Sequence, residues 1–319
     1  VSAFAELRAA AARVMARARH VRIDEAGLAA LAGRLLADPP PPPSPDPVAH
    51  HVGTPASRLA FVLTLDAINF GSGWFPRLRK RAGRSGYYTI SMGLKDRFDA
   101  EGPWSADDLA RLSPADLARV TGQTLDDPAV AELMALFARA LNDLGALLAG
   151  RYGGRFEALV AAAGGSGARL VGLLAEMPLY RDVSRYDDFD VPFYKRAQIT
   201  VADLAIAFDG EGPGRFDDLE ELTCFADNLV PHVLRCEGVL HYAPSLAARI
   251  DAESPLTHGS PEEVEIRAAG VHAVEGLVAA IRASGGQTSA HAIDMALWQR
   301  GQSPEIKAHP RHRARCPYY

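Results

Sequence analysis

Cysteine is scarce in this chain, and what there is excludes a disulfide framework. Cys224, Cys236 and Cys316 are an odd number, and none stands in a CxxC or Cys/His ligand spacing. That usage suits a reducing compartment, so a cytoplasmic location is expected. Long unbroken apolar runs are missing too: the window Leu133 to Leu148 is interrupted by Arg139, Asn142 and Asp143, and no membrane span is expected. A secretory signal is excluded because Arg8, Arg13, Arg17 and Arg19 are spread through an amphipathic stretch instead of leading an apolar block. With Glu6 and direct passage into Ile23-Asp24-Glu25, that stretch reads as an ordinary first helix, not a mitochondrial presequence. A basic excess is absent as well. The formal net charge of −5 is unfavourable for gripping a polynucleotide, so no stable nucleic-acid complex is expected.

Familiar catalytic signatures are also lacking. There is no glycine-rich nucleotide fingerprint, GxSxG elbow, HExxH pair, tandem repeat or heptad run. His50-His51 lie in a loop-like context, and His309 and His312 read as surface residues without a neighbouring carboxylate or cysteine. No metal and no cofactor are expected. Cys224 has no adjacent histidine that would favour a thiolate.

What is present is helix. A chain of 319 residues with 48% hydrophobic content buries a large core. Apolar positions recur at three and four over Ala3–His20, Asp24–Leu36, Ala129–Leu148, Arg155–Ala163, Ala168–Met177, Val201–Phe208 and Glu262–Ala283. Ser105-Ala-Asp-Asp and Ser113-Pro-Ala-Asp each place a Ser cap with an acidic residue three later, predicting short helix starts. The fold class is therefore mainly α, a compact multi-helix fold with few or short strands. The run Pro39 to Pro47 reads as a linker or extended surface crossing, with an SH3-type ligand as the alternative. It separates residues 1–48, N-terminal helices and linker, from a core over 49–319 that forms one body or two closely packed helical subdomains. The passage Asn69 to Tyr88, rich in glycine, aromatics and cations, reads as a binding loop. A monomer is expected, and with Val1 in place of Met the numbered chain is expected to start inside a longer one.

Chemistry concentrates in the second half. Lys195 and Arg196 adjoin Phe193 and Tyr194 at the start of an apolar helix, where backbone donors and the helix dipole favour an anion. That makes a phosphate site, or else a solvated cation pair over two buried aromatics. Asp227 sits within Cys224-Phe-Ala-Asp-Asn-Leu-Val, so it is a pocket carboxylate, a cap or a salt-bridge partner.

Tyr180-Arg-Asp-Val, Phe193-Tyr-Lys-Arg-Ala-Gln-Ile199, Val201-Ala-Asp203, Leu222-Thr-Cys-Phe-Ala-Asp227, Val264-Glu-Ile-Arg267 and the ending Arg311-His-Arg-Ala-Arg-Cys-Pro-Tyr-Tyr319 together resemble the queuosine salvage family. Leu65-Asp-Ala-Ile-Asn-Phe70 and Ser85-Gly-Tyr-Tyr88 extend the resemblance upstream, to roughly residues 50–319. The resemblance implies a fold similar to helical DNA glycosylases and metal-free hydrolysis of queuosine 5′-monophosphate to queuine and ribose 5-phosphate. It implies that Asp227 is the essential aspartate and that Lys195, with Arg196 beside it, contacts the phosphate or ribose. Asn69 and Phe70 match an Asn-Phe pair at the base, with Tyr88 and Phe225 as further walls. Asp294 is expected either to face the amine of the base or to lie on a helix surface. The chain departs from the family at Gly71-Ser-Gly-Trp-Phe-Pro76, where Trp74 is expected to substitute for an aromatic wall, and at Asn228 and His232, where Tyr and Gln are frequent. A non-catalytic binder would keep the aromatic walls without needing Asp227 near the anomeric carbon. A DNA or tRNA glycosylase is disfavoured by the acidic balance.

Overall fold

A computed structural model describes residues 2–41, 44 and 46–319. Pro42, Pro43 and Pro45, the centre of the proline run, lie outside the described residues. The described chain is mainly helical, with two short antiparallel strand pairs, as the periodicity predicts. Contacts divide it into two units. The first comprises Val1–Pro43, Asp182–Lys195 and Asp218–Arg315; the second comprises Ser44–Arg181, Arg196–Asp217 and Cys316–Tyr319.

The first unit is organised around the helix Pro261–Ala283, against which Ala3–Met15, Glu25–Ala37 and Ala290–Arg300 pack. Its residues Val264, Ile266, Ala268, Ala269, Val271 and Val274 are fully buried. Glu263, Glu265 and Arg267 are fully buried as well. A helix closed in on every side is normally apolar all round, so these three charges need partners. Glu265 finds them in the turn after the first helix: its Oε2 accepts from the amides of Arg19 (3.0 Å), His20 (2.6 Å) and Val21 (3.1 Å), and its Oε1 accepts from the Tyr186 hydroxyl at 2.8 Å. This explains a departure from the periodicity. The first helix ends at Met15, not His20, because the next turn is drawn to the carboxylate, and Val21–Ile23 then pairs with Leu240–Tyr242. The first helices thus lie within this unit.

In the second unit, Pro55–Ala67, Gly86–Glu101, Pro114–Thr121 and Pro128–Arg151 supply the core. Ser105 and Ser113 both form full capping boxes, with Asp108 and Asp116. Helix Pro128–Arg151 is long and apolar enough to cross a membrane by length and composition; half of its most apolar window is buried, through Leu133, Phe137, Leu141 and Leu144. The passage after Asn69 holds one short turn, Phe75–Arg77, and ends sooner than its glycines suggest, since Gly86 opens a sixteen-residue helix capped by Ser85. A Cβ at Gly86 would stand 2.4 Å from the Phe75 ring, so this glycine serves close packing and not a turn.

Truncating Glu265 to Ala would leave the amides of Arg19, His20 and Val21 without their acceptor. Each stranded donor costs about 1–3 kcal/mol, so urea unfolding should show a loss of about 3 kcal/mol or more, with a smaller loss for Glu265→Gln. A loss below about 1 kcal/mol would mean that water reaches these amides and that the carboxylate is not what orders the turn.

Candidate active site

In the first unit the sequence places a carboxylate, Asp182, ahead of the hairpin formed by Val183–Tyr186 and Phe189–Pro192. Asp182 is buried, and it meets Arg267 in a two-pronged pair: Nη1 donates to Oδ1 at 2.9 Å and Nη2 to Oδ2 at 2.7 Å. The remaining edge of the guanidinium donates from Nε to the carbonyl of Ala226 at 2.9 Å, and its face lies 4.0 Å from the centre of the Phe193 ring. Asp182 Oδ2 also accepts from the backbone amide of Lys195 at 3.1 Å, at the first residue of the helix Lys195–Ala207. One arginine thereby fixes both the residue before Asp227 and the carboxylate that starts the Lys195 helix. Tyr194 enters that helix at φ 47°, a left-handed conformation that a bulky residue rarely adopts. The Asp182 carbonyl holds it there by accepting the amides of Phe193 (2.9 Å) and Tyr194 (3.3 Å). Stored strain of this kind is characteristic of positions that must present a side chain in one direction.

Asp227 is half-buried in the irregular segment before helix Val230–Cys236. Its Oδ1 accepts from the amides of Leu229 (2.8 Å) and Val230 (2.9 Å). It is therefore a cap, one of the readings its sequence context allows, yet only one oxygen is used. Capping holds the carboxylate still while Oδ2 remains available for chemistry. Asp294, on helix Ala290–Arg300, is buried and so is not a surface carboxylate. Its Oδ1 accepts from the amide of Phe225 (2.8 Å) and the thiol of Cys224 (3.2 Å). Burial, reinforced by the neighbouring Asp227 carboxylate, pushes Asp294 up to about 8, against the opposing pull of these hydrogen bonds and of Lys195. Burial and Asp294 in turn raise Cys224, which stays a thiol and donates.

Asp227 and Lys195 thus both act electrostatically on Asp294, and Arg311 is coupled to Asp227: burial lowers its pKa while the charge of Asp227 raises it. Sequence reasoning missed Arg311, Asp182 and Arg267. Asp182 and Arg267 stand inside the quoted motifs, but nothing local marks them as a pair 85 positions apart. His312, read as a surface residue, is buried, and burial pushes it down to about 3; His309 alone of that pair is exposed. The carbonyl of His312 accepts from Asn228 Nδ2 at 3.1 Å, and the carbonyl of Ile306 faces His232 Nε2 at 3.0 Å. Asn228 and His232 thereby brace the segments that carry Asp227 and Arg311.

The other candidates belong to the second unit. Asn69 is half-buried and donates from Nδ2 to Asp66 Oδ1 at 3.3 Å. Phe70 is buried edge-on against Phe137, with ring centres 5.0 Å apart. Trp74 is buried and donates from Nε1 to Glu132 at 2.7 Å. Tyr88, half-buried, packs on Tyr87 and has its hydroxyl pKa raised by burial and by Asp46. Arg196 is neither solvated nor at the surface. It is buried, donating to the carbonyls of Ala67 (2.5 Å) and Leu179 with its guanidinium 4.7 Å from the centre of the Phe70 ring and 4.4 Å from that of Tyr180. There it caps the end of helix Pro55–Ala67.

The elevated pKa of Asp294 links stability to pH. A carboxyl whose folded value is raised from its ordinary 3.8 to about 8 stabilises the fold fully below about pH 4. That contribution is lost as pH rises through about 8, at up to about 1.4 kcal/mol per pH unit. The stability of the parent relative to Asp294→Asn, measured by urea unfolding, should therefore fall between pH 5 and pH 8. An unchanged difference would show that Asp294 is ionised throughout.

Residues 49–319 match the family described as queuosine salvage protein. The chain is 39% identical over 312 residues to a Sphaerobacter thermophilus protein named queuosine 5′-phosphate N-glycosylase/hydrolase, covering 96% of this chain and 95% of that one. Relatives of the same name from Mus musculus and Dictyostelium discoideum are each 32% identical, over 84% and 81% of this chain and 83% and 77% of their own. This chain belongs to the queuosine salvage protein family.

Proposed function

We propose that this protein hydrolyses the N-glycosidic bond of queuosine 5′-phosphate, releasing queuine and ribose 5-phosphate. The observation that carries this is the unequal carboxylate pair: Asp227 with one oxygen pinned and the other available, and Asp294 driven to hold a proton at neutral pH. Cleaving the C1′–N9 bond builds positive charge on the ribose, as in other glycoside hydrolyses. A fixed carboxylate beside that charge lowers the barrier, and the same oxygen is suited to steering the attacking water. The leaving base is a 7-deazapurine, without the ring nitrogen that purine hydrolases protonate, so its departure needs another proton source. Asp294 supplies one. Its Oδ1 already accepts two donors, which leaves Oδ2 to carry the proton. Two carboxyl groups whose environments drive them apart in acidity are the recurrent solution to acid and base work at one pH.

Lys195 at the start of its helix is our partner for the phosphate or ribose oxygens, with Phe225 beside the carboxylates. For the base we keep the partners that the resemblance assigns. Asn69 and Tyr88 are half-buried, whereas Phe70, Trp74 and Arg196 lie beneath the surface of their unit and act by shaping it. The acidic balance supports a free nucleotide over a polynucleotide as the substrate, and we extend the reading to a monomeric cytoplasmic enzyme.

Mass spectrometry of queuine after incubation with queuosine 5′-monophosphate tests the reaction. The parent should release base, Asp227→Asn should lose at least about a thousandfold in rate, and Lys195→Met should raise KM more for the 5′-phosphate than for the free nucleoside. Binding of queuine without release by the parent would make the protein a carrier.

Arg267→Lys keeps the charge but cannot reach both Asp182 oxygens and the Ala226 carbonyl together. It should lower kcat about a hundredfold with KM little changed. Equal losses of kcat and folded protein would reduce Arg267 to a purely structural role.

A further inference from the structure

A second catalytic arrangement lies within the second unit, on side chains that the proposed reaction does not use. His51 follows the proline-rich stretch, Ser57 occupies the first turn of helix Pro55–Ala67, and Asp99 stands near the end of helix Gly86–Glu101. His51 Nδ1 lies 2.5 Å from Asp99 Oδ1, and His51 Nε2 is in hydrogen-bond contact with Ser57 Oγ. We propose that Ser57, His51 and Asp99 form a serine-nucleophile site that transfers acyl groups from short-chain carboxylic esters to water.

The proton inventory sets the direction of the chain. Lys95 donates from Nζ to Asp99 Oδ2 at 2.5 Å, and with His51 it holds the Asp99 carboxyl below its ordinary range. Asp99 is then acceptor-only, which obliges Nδ1 of His51 to carry the ring proton. Nε2 is left with its lone pair towards Ser57, so the hydroxyl donates to the ring. That is the polarity a nucleophilic serine requires, with the carboxylate fixing the tautomer and the imidazole receiving the hydroxyl proton. The ring rests against Phe61 and Phe98, whose centres are 5.9 and 5.8 Å away and which pack edge-on against each other, and it is almost wholly buried.

Access comes from the other side. Ser57 is half-buried, and residues 52–56 before it are exposed. Gly53 faces the Ser57–His51 contact so closely that a Cβ there would stand 2.7 Å from Ser57 Oγ. Any other residue would crowd the hydroxyl. Ser57 lies in the first turn, where a helix leaves amides unsatisfied; Pro55 has none to offer and Thr54 takes that of Ser57 itself, which leaves the Ala56 amide as the donor we assign to a developing oxyanion. An open site of this kind offers little enclosure for expelling an amine, whereas an ester with a good leaving group needs only the nucleophile and its base.

In the step itself, Ser57 Oγ forms a bond to the acyl carbon as its proton passes to His51 Nε2. The bond from acyl carbon to leaving oxygen breaks, and His51 returns the proton to the departing alkoxide. Water then repeats the sequence, releasing the acid and restoring Ser57.

The test uses the full chain with p-nitrophenyl acetate and, separately, a fluorophosphonate probe mapped by peptide mass spectrometry. Phosphonylation at Ser57, with p-nitrophenolate release falling at least about a hundredfold in both Ser57→Ala and His51→Gln, supports the site. Circular dichroism melts of both variants exclude unfolding as the cause, and Asp99→Asn gives an independent reading through the tautomer. Probe attached to another residue, or release no faster than with heat-unfolded protein, overturns the proposal.

Discussion

The buried ion pair between Arg267 and Asp182 decides where the other polar groups of the first unit can go. Such pairs are poor sources of stability, because desolvating both charges offsets most of their attraction, whereas removing one partner costs about 3–5 kcal/mol. Their value lies in specification. A guanidinium is planar and its donors are fixed in direction, so once two prongs are set on Asp182 the third can accept only one placement of the Ala226 carbonyl. Asp227 is the next residue. The Lys195 amide is bound to the same carboxylate, so two distant segments of sequence are aligned by one side chain on the buried stretch of helix Pro261–Ala283.

The carboxylates on that frame differ in charge because they differ in neighbours. Asp227 is half-buried and accepts from two amides. Asp294 is enclosed and faces the charge of Asp227, and the hydrogen bonds it accepts from Phe225 and Cys224 do not compensate. Two ionised carboxylates in so small a volume repel, so the one with less solvent keeps its proton. Cys224 completes the division: as a buried thiol it gives Asp294 a hydrogen bond, and as a thiolate it would add a second negative charge beside Asp227.

Much of this was legible in sequence where the signal was local. The long helices and the capping boxes at Ser105 and Ser113 follow from period and cap chemistry, and a cap is one of the readings that its context allows Asp227. What failed was whatever depends on distant partners. Helix Ala3–Met15 stops early because of Glu265, which lies 244 positions from Val21, and no propensity of Arg17 or Ala18 reveals it. Gly86 resembles a loop residue until the Phe75 ring is placed against it. His51 sits six residues from Ser57 but needs Asp99, 48 positions on, to define its tautomer. Sequence identifies which residues are capable of chemistry, and the pairings then determine which charge state each one holds.

Lys195 and Arg196 show how far adjacency in sequence can mislead. Consecutive residues on a helix point about 100° apart, so two neighbouring cations need not share surroundings. Arg196 has a flat, weakly hydrated head with several donors, and it is spent on main-chain carbonyls and stacked beside Phe70 and Tyr180. A lysine there would satisfy fewer acceptors and bury a more strongly hydrated charge. Lys195 is buried as well, and in the role we propose for it a compact charge on a flexible stem can follow an anion as it moves along a reaction. The left-handed backbone at Tyr194 stands just before the helix whose first residue is Lys195. A relaxed, extended Tyr194 would rotate that start, and with it both cations.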